Sequence, residues 1–222
     1  MSIILENLRG VQGRIEGAAR KAGRDPGGVK LICVTKAAEI DQLREIVNAG
    51  IIEIGENRVK DALSKKELLD SHVLTWHMIG HLQSKKAKDA VGLFSVIHSV
   101  DTLKLAQVLD KEAGKIGKVQ DIFIEVNVSG EESKFGIRPK GLDGFLEEAG
   151  HLKHIKVLGL MTMPPFSEDP EDSRPFFRKL KELARRHSLN GLSMGMTQDF
   201  EVAVEEGATM VRVGSAIFRG VS

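Results

Sequence analysis

Short apolar runs rich in Val and Ile alternate along the chain with longer stretches whose apolar residues recur every three or four positions. The first such stretch places Ile4, Leu8, Val11, Ile15, Ala19 and Ala22 on one helical stripe. It stops at Gly23, and Asp25-Pro26-Gly27-Gly28 follows as a strong turn signal. Strands are then predicted over Leu31–Thr35, Ile51–Ile54, Thr75–Ile79, Ser95–Val100, Asp121–Val128, Val157–Met163, Leu192–Met196 and Met210–Val213. Helices are predicted between them at 39–49, 56–70, 83–91, 102–117, 139–150, 171–187 and 198–206. In the sixth of these, Phe176, Phe177, Leu180, Leu183 and Ala184 form one apolar face. Asp101 and Thr197 stand where N-caps belong, and Gly50 and Gly207 where a helix can end in a glycine.

Eight strands alternating with helices, and rarely polar on either face, imply a parallel sheet. An open doubly wound sheet would carry fewer strands and a glycine fingerprint after the first. Here that position reads Thr35-Lys36-Ala37-Ala38. A closed (β/α)8 TIM barrel fits the count, and its usual size of about 250 residues tolerates a chain of this length. The expected architecture is therefore a single α/β barrel domain spanning 1–222 with an extra N-terminal helix. No linker or composition shift divides it.

Composition narrows the setting. With 32 Lys+Arg against 31 Asp+Glu, nothing suggests a nucleic-acid partner or an anionic membrane surface. No apolar run approaches the roughly 18 residues of a membrane span. Charge interrupts the first residues too early for a secretory signal. One cysteine, Cys33, precludes an intrachain disulfide and suits a reducing compartment, so a cytoplasmic location is expected. There is no tyrosine, which excludes any mechanism of these residues that needs a phenol as acid or base.

Barrel chemistry is built at the carboxyl ends of the strands. The first strand leads into Lys36, which shares a face with Ile32 and Val34 while Cys33 and Thr35 point the other way. An amine raised into a barrel mouth sheds hydration and can attack a carbonyl carbon. The seventh strand offers Ser193, and the eighth ends in Gly214-Ser215. The loops after these two strands form the usual phosphate site of the fold. Arg212 interrupts an apolar strand, so it is either a structural ion pair or a ligand group. Together these groups suit an aldehyde that carries a phosphate and an aromatic nitrogen. Pyridoxal 5′-phosphate (PLP) fits, and a sugar-phosphate aldolase with a Schiff-base lysine is the competing fit. His77 and His81 lie on a strand and its following loop rather than on a helix, so no metal site is expected. The Lys85-Lys86-Ala87-Lys88 run reads as a solvated helix face. Lys134 reads as a loop lysine at the same end of the barrel as Lys36.

A set of segments then acquires meaning together: Val34-Thr35-Lys36, Gly55-Glu56-Asn57, Trp76 through Gln83, Ser133-Lys134-Phe135-Gly136, Gly159-Leu160-Met161, Ser193 through Asp199, and Val211 through Phe218. In this order the chain resembles the pyridoxal phosphate homeostasis proteins, single-domain relatives of the alanine racemase N-terminal barrel. The resemblance implies that Lys36 forms the internal aldimine. It implies that Ser193, Gly214 and Ser215 hold the phosphate and that Arg212 faces the pyridine nitrogen. Asn57 matches a position lining the cofactor, and His77 one near the pocket. The chain departs from the family pattern at Lys85, where asparagine is common, and at Arg219, where glycine often follows Ile-Phe.

An arginine donor disfavours protonation of the pyridine ring, which weakens the cofactor as an electron sink. The resemblance adds that the racemase relatives take their second base, a tyrosine, from another domain. The expected function is thus to hold PLP and deliver it in intracellular PLP homeostasis, with PLP-dependent apoenzymes as clients, without catalytic residues and as a monomer. The alternatives are a weak PLP-dependent racemase and the Schiff-base aldolase.

Overall fold

In the computed structural model, which describes residues 2–69 and 73–220, eight parallel strands close into a barrel in chain order. They are β1 (Lys30–Val34), β2 (Glu53–Glu56), β3 (Thr75–Met78), β4 (Val96–Val100), β5 (Gln120–Glu125), β6 (Ile155–Met161), β7 (Gly191–Ser193) and β8 (Met210–Val213). β8 pairs back onto β1, setting Ile32 beside Arg212, and so leaves no sheet edge. The helices are α1 (Ile3–Lys21), α2 (Ile40–Asn48), α3 (Val59–Leu68), α4 (Ala87–Leu93), α5 (Leu103–Lys115), α6 (Leu142–Ala149), α7 (Arg174–Arg186), α8 (Phe200–Glu205) and the short α9 (Ser215–Phe218). The expected barrel and its additional first helix are both present. The helix predicted over 56–70 is α3, which spans Val59–Leu68; position 70 lies outside the described residues.

Amphipathic stripes explain the outer ring. α1 buries Ile4, Leu8, Val11, Ile15, Ala18 and Ala19, and packs on α2, α8 and α9. α7 buries Phe177, Leu180, Leu183 and Ala184. These stripes and the outward strand residues, among them Cys33, Ile54, Ile122 and Ile124, make the main apolar core. Burial pushes the Cys33 thiol up to about 12, so Cys33 acts there as a small apolar side chain.

Several boundaries differ from the sequence pattern, each for a local reason. β2 begins at Glu53 rather than Ile51, because Gly50 (φ 93°) ends α2 and Ile51 is still turning into the barrel. β5 stops at Glu125, since Val126 leaves the ladder for a bridge to Ile137. β7 ends at Ser193, two residues before Gly195 turns the chain at φ 92°. Thr102, not Asp101, caps α5 by accepting from the Leu105 N–H. Likewise Asp199, not Thr197, precedes α8.

The barrel interior mixes two sets of side chains. Val96, Phe123 and Met161 form a small apolar cluster. Beside it Glu53, His77, His98, Ser193 and Arg212 form a continuous polar column. Branched aliphatic residues usually fill such a barrel. The polar column is the feature of this fold that bears on function.

Candidate functional site

At the carboxyl ends of the strands lies a cavity of about 640 Å³. Lys36, Asn57, Arg212, Gly214 and Ser215 all line it, contributed by the ends of β1, β2 and β8. Lys36 lies two residues past β1 and is solvent-exposed. Its approach is pinned from behind by buried polar contacts. Thr35 Oγ1 donates to Glu56 Oε1 at 2.6 Å, and Lys65 Nζ reaches the same oxygen at 2.7 Å while also donating to the Thr35 carbonyl. Pairing Thr35 in this way turns it outward and leaves Lys36 facing the mouth.

Asn57 is held by its neighbour across β3. A Cβ on Gly80 would fall 2.4 Å from the Asn57 carbonyl oxygen and 2.8 Å from its Cα, so only glycine lets these backbones touch. Gly214 has the same part beside β1, where a Cβ would meet the Val34 carbonyl at 2.8 Å. Ser215 Oγ donates to Thr197 Oγ1 at 3.0 Å, joining the turns after β7 and β8. Asp199 orders the first of these turns by accepting from the Met196 N–H at 2.7 Å and from Ser173 Oγ at 2.8 Å.

Arg212 enters the cavity from below, almost wholly buried. Its Nη1 donates to Ser193 Oγ at 2.6 Å and its Nη2 to the Thr162 carbonyl at 3.0 Å. Burial lowers its pKa to about 10, with Glu125 and Asp199 opposing the shift, so the guanidinium stays charged at neutral pH. Glu125 lies inward near this charge. Burial above all, then Asp101, pushes its carboxyl up to about 7 against the pull of Arg212. Asp101 also faces His81, at 3.3 Å, whose ring stacks on Phe135 at 3.9 Å.

Two expected residues are placed elsewhere. Ser193 and His77 are buried inside the barrel and do not line the cavity. Both contacts of Ser193 Oγ among the described residues are to Arg212 and His98, beneath the cavity floor. His77 bonds His98 at 2.9 Å and Glu53 at 2.7 Å. The cavity adds residues not expected to line it, chiefly Ile79 and Gly80 from the segment Trp76 through Gln83, and Pro164, Pro165 and Phe166. Their signal was their position just beyond β3 and β6. Met163, Met196 and Lys134 also line it.

An exposed primary amine, a buried cation and a glycine-serine turn thus share one open cavity. A profile of the alanine racemase N-terminal domain matches residues 7–221. The pyridoxal phosphate homeostasis protein of Aquifex aeolicus (strain VF5) is 47% identical over 219 residues, covering 96% of both chains. The chain belongs to the pyridoxal phosphate homeostasis protein family. Its Pseudomonas aeruginosa relative of that name is 40% identical over 220 residues, covering 98% of this chain and 96% of the relative. Among solved structures, PipY of Synechococcus elongatus with PLP bound is 36% identical, with a TM-score of 0.80 and coverage of 92% and 99%. Alanine racemase of Clostridium difficile 630 shares the fold at a TM-score of 0.74 and 14% identity, with 96% of this chain matched to 56% of that one. Family membership and the barrel agree with the resemblance read from the sequence. Among the described residues no helix is long and apolar enough to cross a membrane.

Proposed function

We propose that this protein binds PLP in the cavity at the barrel mouth and holds it for exchange with other proteins. The observation that carries the reading is the convergence of Lys36, Asn57, Arg212, Gly214 and Ser215 on one cavity. Lys36 would capture the aldehyde as a Schiff base, with loss of water. Gly214 and Ser215 would offer backbone N–H groups and a hydroxyl to the phosphate, and Arg212 would donate to the ring nitrogen. The cofactor, when bound, supplies a reversible carbonyl able to trade one amine for another.

The same geometry favours holding over turnover. A guanidinium donor leaves the ring nitrogen unprotonated and the electron sink weak. The 222 residues contain no tyrosine to act as a second base. Exposure of Lys36 lets incoming amines reach the captured aldehyde, which suits buffering and delivery to PLP-dependent apoenzymes. The PLP-bound PipY structure and the homeostasis relatives support this reading.

The test is spectroscopic. Purified protein titrated with PLP should turn yellow, and borohydride should bleach the colour and leave a pyridoxyl adduct on the Lys36 peptide. Lys36→Ala should lose both signals. A protein that gains no colour, or a label that settles on another lysine, would overturn the assignment. Steady amino-acid racemisation abolished by Lys36→Ala would instead make it an enzyme.

A further inference from the structure

The polar column inside the barrel has a direction. Arg212 can only donate, and Nη1 gives its hydrogen to Ser193 Oγ at 2.6 Å. Ser193 Oγ meets two partners among the described residues, so its own hydrogen has one acceptor within reach, His98 Nδ1 at 2.8 Å. His98 is fully buried, and burial, helped by His77 and Arg212, holds its pKa well below the usual histidine range. The neutral ring then carries its hydrogen on Nε2 and donates to His77 Nδ1 at 2.9 Å. His77 in turn donates from Nε2 to Glu53 Oε2 at 2.7 Å. Glu53 is held at the barrel floor by Lys30, 3.0 Å away and mostly exposed. Reversing either bond of the His98 ring would strand the Ser193 hydrogen in the barrel interior, which costs more than a hydrogen bond gains.

We propose that Glu53, at the floor of the barrel, is a positioning residue for the Arg212 guanidinium at its mouth, acting through the one-way chain Ser193, His98 and His77. Each donor in such a chain polarises the next, and the carboxylate ends it with a full negative charge. Lateral support comes from His98, stacked on Phe123 at 4.7 Å, and from the Thr162 carbonyl, which accepts from Nη2. The chain thereby orients a buried cation that has no carboxylate within ion-pair distance among the described residues. In the cavity, on the reading that PLP binds there, the consequence falls on the ring nitrogen and not on the phosphate.

The first measurement needs no cofactor. With ¹⁵N-histidine labelling, apo protein should show His77 and His98 each protonated at Nε2 and bare at Nδ1. Glu53→Gln keeps an acceptor and should preserve that pattern. Glu53→Leu removes it and should disturb the nitrogens of His98, which Glu53 does not touch. Ser193→Ala, which shortens no backbone contact, should shift His98 Nδ1 and serves as the second variant if Glu53→Leu does not fold. A hydrogen on His98 Nδ1 in the native protein, or a His98 ring indifferent to both variants, would overturn the proposal.

The second measurement titrates PLP and 1-deazapyridoxal 5′-phosphate, in which C–H replaces the ring nitrogen. Glu53→Leu should weaken PLP about fivefold, the size of one net hydrogen bond, and leave the deaza analogue unchanged. Glu53→Gln should restore most of the loss. Equal weakening of both ligands would mean general damage and overturn the positioning role. Failure of the native protein to bind either ligand would instead overturn the PLP reading, with the nitrogen spectra still deciding the chain.

Discussion

Glu125→Gln should make the protein more stable at alkaline pH and leave it almost unchanged in acid. In the fold the Glu125 carboxyl is raised from an ordinary 4.5 to about 7, by burial first and Asp101 second, with Arg212 opposing. A group that holds its proton more tightly folded than unfolded contributes fully below pH 4.5. That contribution fades as pH rises to 7 and is gone above it. At 1.36 kcal/mol per tenfold step, ionisation withholds about 3 kcal/mol from folding, as an order of magnitude. Glutamine has nearly the same shape and never ionises, so the variant escapes the penalty. In a chain of this size 1 kcal/mol moves Tm by about 2–4 °C, so the gap at pH 8 should be about 6–12 °C. Differential scanning calorimetry of both proteins at pH 4 and pH 8 measures it, since titrating groups that do not interact with Glu125 cancel at each pH. A Tm gap of equal size at both pH values would refute the reasoning, as would a variant less stable at pH 8.

Other expectations follow from the same structure. Glu53 is held down at about 2, first by its hydrogen bond to His77, so it stabilises the fold above pH 4.5 and loses that as pH falls toward 2. Acid titration followed by circular dichroism should therefore show Glu53→Gln less stable than the native protein at pH 6 and indistinguishable near pH 2. Gly80→Ala forces a methyl against the Asn57 backbone at 2.4 Å and should cost about 1–3 kcal/mol in urea unfolding while weakening PLP binding. A neutral result would mean that this close approach is not needed. Arg174 bridges Glu171, Glu205 and Glu206 at 2.5–2.7 Å and so ties α7 to α8. Arg174→Ala should cost about 1 kcal/mol at low ionic strength and less in 1 M salt, read from paired urea melts.

The alternation of apolar runs and helical stripes was enough to determine the barrel, because burial on both faces of every strand leaves few other closures for eight parallel strands. The same local chemistry marked Lys36, Gly214 and Ser215, which a strand end delivers to the mouth whatever the barrel's stagger. Arg212 was conspicuous as a charge in an apolar strand, yet its partners were not legible. Ser193 and His77 share the inward parity of the site residues, and parity says nothing of depth. The stagger of the closed barrel places them below the floor, where Ser193 serves Arg212. Glu53 and His98 carried no signal at all, since Ser193 and His98 stand 95 residues apart and meet only across the interior. Which residues face inward is a property of the chain's two-residue period. Which of them touch is decided by closing the barrel, because only closure brings β2, β3, β4, β7 and β8 within a hydrogen bond of one another around one axis.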